Sequence, residues 1–129
     1  MTIFSKIIAG DIPSYKILED ENFFAFLDIS PLVRGHVLVI TKKEVDKLFD
    51  VPDELLAKLL VFAKPIAHAL EKSFPCDRVG ISVIGLEVPH VHVHLVPINS
   101  AEDLNFTRPK LKLSKEEFIE IQQTILSAL

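Results

Sequence analysis

His90, His92 and His94 occupy alternate positions of the run Pro89-His-Val-His-Val-His-Leu-Val-Pro97, and imidazole is the side chain that attacks, ligates or changes charge near neutral pH. In an extended strand alternate side chains share a face, so the run predicts three rings about 6.6 Å apart on one side and Val91, Val93 and Leu95 on the other. Such a row can serve in three ways. It can be no more than a polar face. It can ligate zinc through two or three rings, leaving a position for water. Or one ring can attack a phosphate, since a neutral imidazole is a nucleophile without first losing a proton. A zinc site of this kind usually draws a further ligand from elsewhere, and His36 is better placed for that than His68, which falls inside a long helical pattern.

The elements that must position these rings follow from periodicity. Ile3, Phe4, Ile7 and Ile8 form the apolar stripe of a short helix, capped by Thr2 and ended by Gly10. Tyr15 to Glu19 and Phe23 to Leu27 are β-rich runs around Asp20-Glu21-Asn22, a hairpin pattern. Gly35 to Thr41 carries the apolar Val37-Leu38-Val39-Ile40 of a buried strand. Between Pro52 and Ser73, Leu55, Leu59, Phe62, Ile66 and Leu70 recur at helical spacing, with Pro65 expected to kink or interrupt the helix. Arg78 to Ile84 and Pro89 to Pro97 predict two further strands around Gly85, and Ser114 with Glu117 makes a capping box ahead of Phe118, Ile121 and Ile125. With no βαβ alternation, the expectation is an α+β fold: a five-stranded antiparallel sheet, a short N-terminal helix, one long helix and a C-terminal helix.

Composition narrows the functional classes. A chain of 129 residues without repeats or linkers is expected to form a single domain over 1–129. The net charge of −4, with both signs mixed along the chain, offers no field to hold a nucleic-acid backbone. Cys76 is the only cysteine, which excludes an intrachain disulfide and a Cys₂His₂ zinc site, and favours a reducing compartment. The N-terminal residues lack a basic stretch followed by a long apolar run, and no segment is suited to span a bilayer, so the expected location is the cytoplasm and no membrane partner is expected.

The triad resembles the signature of the histidine-triad (HIT) superfamily, His-x-His-x-His with apolar residues between. Four further blocks resemble the same family in order: Ile3-Phe4-Ser5-Lys6-Ile7-Ile8, Asp11-Ile12-Pro13, Phe26-Leu27-Asp28-Ile29-Ser30-Pro31 and Gly35-His36-Val37-Leu38-Val39-Ile40. The likeness spans about residues 2 to 98 and is nearest to the Hint-type phosphoramidases. It implies a hydrolase or nucleotidyl transferase acting at the α-phosphate of a nucleotide conjugate. By that resemblance His92 is the nucleophile that carries a nucleotidyl intermediate, while His94 and His36 surround the phosphate and stabilise developing charge. His90 sets the tautomer and position of the others. Asp28, followed by Ile29, would accept hydrogen bonds from the ribose, although an Asp before Ser-Pro is also an ordinary turn residue. Ile3, Phe4, Ile7, Phe26 and Leu38 would line the apolar cleft for a purine base. No metal and no cofactor is required, and a homodimer is the family expectation.

Three departures matter. Relatives often carry a hydroxyl residue after the glycine that precedes the triad, whereas Gly85 is followed here by Leu86 and Glu87. Glu87 becomes the candidate acid, although in ionised form it would repel a polyphosphate. Val79 stands where an Asn is common. Thr2, Ser5 and Glu44 stand where zinc-containing relatives place two cysteines and a histidine, so no structural zinc is expected. The resulting expectation is a phosphoramidase, with a dinucleoside polyphosphate hydrolase or a non-catalytic nucleotide-binding module as the alternatives.

Overall fold

The computed structural model describes residues 1–129. Five antiparallel strands, β1 (Lys16–Glu19), β2 (Phe23–Leu27), β3 (Val37–Thr41), β4 (Arg78–Ser82) and β5 (His92–Ile98), form one sheet in the order β1-β2-β3-β5-β4. Three helices, α1 (Ile3–Ile8), α2 (Asp53–Ser73) and α3 (Lys115–Ala128), complete the α+β architecture expected from the sequence. No helix is long and apolar enough to cross a membrane.

Both faces of the sheet are covered, which is why β2 and β3 are buried at every position. Strand alternation sorts their side chains. Phe23, Ala25, Leu27, Val37, Val39, Val93 and Leu95 pack with Leu59, Phe62, Ile66 and Leu70 of α2 and Phe118, Ile121 and Ile125 of α3. Phe24, Phe26, Leu38 and Ile40 point the other way and meet Phe4, Ile7 and Ile8 of α1. The short helix covers part of the second face, and the β3–β5 register pairs Leu38 with His94 and Ile40 with His92.

Two strand boundaries differ from the periodicity. β5 begins at His92, not Pro89, because the groups that would extend its ladder are taken elsewhere. The Val91 N–H bonds to the Val45 carbonyl (2.7 Å), and the Thr41 carbonyl accepts from the His90 ring (2.7 Å). β4 stops at Ser82 and the chain from Val83 to Val91 is irregular. α2 runs through Pro65 without interruption; the proline cannot donate to Val61, but both residues are exposed, where water can serve the freed carbonyl. The expected hairpin is closed by Asp20, whose Oδ1 accepts from the N–H groups of Asn22 and Phe23 (both 2.8 Å). The capping boxes at Thr2 and Ser114 are both formed.

After β5, a 3₁₀ turn (Ala101–Leu104) folds back over β4. It lies close because residue 80 is glycine: a Cβ there would stand 2.7 Å from Leu104 Cδ1 and 2.9 Å from Ile98 Cδ1. The irregular stretch that follows carries Phe106 and Lys110 across the face bearing the histidines.

Candidate active site

The four histidines are wired in two pairs, and each hydrogen bond fixes where a proton sits. His90 is fully buried; its Nε2 lies 2.7 Å from the Thr41 carbonyl, which can only accept, so Nε2 carries the proton. Its Nδ1 lies 2.8 Å from the Thr2 hydroxyl, which already accepts from the Ser5 N–H (3.1 Å) and so donates to the ring in its neutral form. The backbone carbonyl of His90 in turn accepts from Nδ1 of His92 (2.8 Å). That leaves Nε2 of a neutral His92 with a free lone pair.

The second pair begins at the Leu32 N–H, a donor only, 3.0 Å from Nδ1 of His36. The proton of His36 is therefore on Nε2, which donates to Nδ1 of His94 (2.9 Å). Burial, then the neighbouring charge of His94, lowers the His36 pKa to about 3; burial, then His92, lowers that of His94 to about 4. Both rings are neutral at pH 7, and His94 presents Nε2–H as a donor. Every fully buried side-chain polar atom has a partner, whereas Nε2 of His92 and Nε2 of His94 have none. These two nitrogens, one acceptor and one donor, face open space.

That space is a cleft of about 340 Å³ between α1, β2, β3 and the returning chain. It is lined by His92, His94 and Glu87 of the expected catalytic set, and by Asp28, Ile29, Ile3, Phe4, Ile7, Phe26 and Leu38. His36 and His90 stand behind it, as supports for the rings that reach it. Phe4 meets His92 edge-on with ring centroids 5.0 Å apart, and also Phe26 at 5.7 Å, so α1 both walls the cleft and braces the His92 ring. Asp28 does serve a turn, its Oδ1 accepting from the Ser30 N–H (2.8 Å), but Oδ2 lies 3.5 Å from Nε2 of His36 at the cleft wall. Burial raises its pKa, against the lowering influence of the Ser30 bond and the charges of His92 and Lys110. Glu87 is exposed at the cleft mouth.

The expectation that all three triad rings stand on one strand is corrected in part: Phe4 of α1 meets both His90 (5.7 Å) and His92 (5.0 Å), but His90 lies outside the strand. Only His92 and His94 belong to β5, with centroids 5.0 Å apart; His90 precedes the strand and turns its ring toward α1. Phe106 and Lys110 went unrecognised in the sequence. Phe106 meets His94 edge-on at 4.6 Å and both residues line the cleft, yet their stretch has no periodicity or motif to announce it.

Two groups merit a metal test. Asp28, His36 and His94 offer ligand atoms within 4.8 Å of one another, but Nε2 of His36 holds a proton that it gives to His94, so the free electron pairs are not directed at a common point. Thr2, Ser5, Glu44 and His90 are also clustered. Glu44 accepts from the Ser5 hydroxyl (2.6 Å) and the Thr2 N–H (3.1 Å), and both nitrogens of His90 are engaged. This is a hydrogen-bonded clasp of oxygen groups, poorly suited to zinc.

The sequence model of the HIT domain matches residues 9–101. The chain belongs to the HIT family. A HIT-like protein of Borreliella burgdorferi, itself uncharacterised, is 37% identical over 131 residues, covering 95% of this chain and 94% of that one. The adenosine 5′-monophosphoramidase of Schizosaccharomyces pombe is 33% identical over 129 residues, covering 98% and 97%. Among solved structures, a HIT-like protein of Bartonella henselae superposes with a TM-score of 0.85 at 31% identity, covering 99% of this chain and 96% of that one. The triad, the Asp28 wall and His36 all lie within the HIT match; α1 precedes it, and Phe106 and Lys110 follow it.

Proposed function

We propose that this HIT protein is a nucleotide hydrolase that cleaves nucleoside phosphoramidates, or related conjugates, at the α-phosphate. The observation that carries the reading is the bond from Nδ1 of His92 to the His90 carbonyl, which leaves Nε2 unpartnered at the floor of an apolar cleft. Nε2 attacks phosphorus; an N–P bond forms as the P–N bond to the leaving amine breaks, its electron pair going to nitrogen, which takes a proton from water at the cleft mouth. Nε2–H of His94, backed by His36 and the Leu32 N–H, donates to a phosphoryl oxygen as charge gathers there. Water then attacks phosphorus and passes a proton to solvent at the cleft mouth, the electron pair of the N–P bond returns to His92, and the mononucleotide leaves.

The apolar side chains of Ile3, Phe4, Ile7, Phe26 and Leu38 suit a purine, and Asp28 suits the ribose hydroxyls. Ionised Glu87 at the mouth favours an amine that departs as a cation and disfavours a polyphosphate, which sets the phosphoramidase above the dinucleoside polyphosphate reading. The relationship to a protein named an adenosine 5′-monophosphoramidase supports the same order. A cytoplasmic homodimer completes the proposal: the outer edge of β4 has no strand partner, and Ile81, Leu60 and Val61 are exposed apolar side chains.

The test is His92→Ala assayed with adenosine phosphoramidate. Turnover is expected to vanish while AMP binding persists, and acid-quenched wild type is expected to carry the nucleotide on His92. Retention of more than about a tenth of the wild-type rate removes the nucleophile assignment. Wild-type protein that binds AMP but fails even a single turnover establishes the non-catalytic module instead.

A further inference from the structure

Beside the nucleoside cleft lies a second cavity of about 280 Å³, walled by Ile84, Gly85 and Leu86. The two share five lining residues: Glu87, His92, His94, Phe106 and Lys110. Shared residues mark the junction between the cavities, and the two unpartnered ring nitrogens stand there. A substrate with its nucleoside in the first cavity and its leaving group in the second must cross this junction with its α-phosphate.

Lys110 is the one cation among the residues lining either cavity. It is half-buried, and its ammonium is held in place: Nζ donates to the carbonyls of Phe106 and Arg108, the latter at 3.0 Å. An ammonium has three N–H groups. Two are spent on the chain that carries it, which fixes the head group, and the third has no acceptor in the protein. Neither Asp28 nor Glu87 takes it as an ion-pair partner. A cation tethered by neutral carbonyls keeps its full charge for a ligand.

We infer that Lys110 is a phosphate-binding residue of this site, its third N–H contacting a non-bridging oxygen of the α-phosphate opposite Nε2–H of His94. The inference rests on the phosphoramidase reading and extends it with a residue that lies beyond the HIT match. Phe106, packed on His94, sets the height of the segment that brings the ammonium over the junction. Since His36 and His94 are neutral, Lys110 supplies the positive charge that these two rings do not.

The experiment compares AMP and adenosine affinities, by calorimetry on the full chain, for wild type, Lys110→Met, Lys110→Gln and Lys110→Arg. Lys110→Met is expected to weaken AMP by about tenfold or more, the size of a charge-assisted bond to phosphate, while changing adenosine by no more than about twofold. Lys110→Gln keeps an N–H group for the loop carbonyls without the charge and should lose AMP in the same way; Lys110→Arg should retain most of the affinity. Equal losses for AMP and adenosine in both uncharged variants would show that Lys110 only holds its segment, and would overturn the assignment. A wild type that prefers AMP and variants that keep that preference would overturn it too, with the phosphoramidase reading intact. A wild type that binds adenosine as well as AMP would overturn both.

Discussion

Acidification from pH 7.5 to pH 5 should destabilise this protein by about 4 kcal/mol through His36 and His94 alone. In the unfolded chain each ring titrates near 6.5; in the folded protein burial holds them at about 3 and about 4. Their folded values are depressed, so below 6.5 the unfolded state binds protons that the folded state refuses. Stability falls as pH falls, by about 1.36 kcal/mol per ring for each pH unit, which gives about 2 kcal/mol per ring at pH 5. The window from 6.5 to 5 lies above the ordinary carboxylate range, so the lowered Glu44, Asp103 and Glu117 add their own losses only at lower pH. Asp28 is raised and acts with the opposite sign, gaining stability on protonation. Urea unfolding at half-unit pH steps reads the slope, expected to exceed about 2 kcal/mol per pH unit near pH 5.5, and His68→Gln, at an exposed ring, serves as the control. Histidine C2–H resonances provide the site-resolved check. Signals of His36 and His94 that move with midpoints near 6.5 would refute the neutral relay on which the donor role of His94 depends.

Asp28→Ala should remove most of the preference for AMP over 2′,3′-dideoxy-AMP, worth about 1.5–3 kcal/mol for a charge-assisted bond, and equal losses for the two ligands would confine Asp28 to its turn with Ser30. Thr2→Val removes both the α1 cap and the hydroxyl that fixes His90; a loss of about 0.5–2 kcal/mol in stability is expected from the cap, with turnover falling further than AMP affinity because His90 aligns His92 and touches no substrate. Thr2→Ser should restore both. Gly35→Ala should cost about 1–3 kcal/mol by denaturant unfolding, because residue 35 has φ +93° and its Cβ would stand 2.7 Å from the Phe74 ring; an unchanged midpoint would mean that the turn before His36 relaxes freely.

Much of the fold was legible because its signals are local. Leu59, Phe62, Ile66 and Leu70 repeat at helical spacing and are buried against the sheet, and Thr2 and Ser114 cap where capping boxes predict. The start of β5 was not legible, because it is decided by the Val45 carbonyl and by a side chain competing for the Thr41 carbonyl. Alternation describes a strand; it does not say which partner reaches a backbone group first. The cleft wall formed by Ile3, Phe4, Ile7, Phe26 and Leu38 could be named through the family likeness, although each residue by itself reads as core. Phe106 and Lys110 were hidden for the opposite reason. They acquire meaning only from a long-range placement above His94, and their neighbours Asn105, Thr107 and Pro109 read as loop.

Gly80 divides the labour of this molecule between two inheritable parts. The four histidines, with Asp28, Phe26 and Leu38 of the cleft wall, lie within the stretch that the family holds in common, whereas Ile3, Phe4 and Ile7 precede it and the roof bearing Phe106 and Lys110 comes from chain beyond it, with Leu104 seated against Gly80 of β4. A lineage can therefore rewrite the roof, and with it the shape of the second cavity, while the histidines underneath stay as they were. Position 80 sets the clearance between the parts: a side chain there displaces the ends of Leu104 and Ile98 first, so the disturbance passed to the roof is expected to grow with the size of the residue placed on this edge strand.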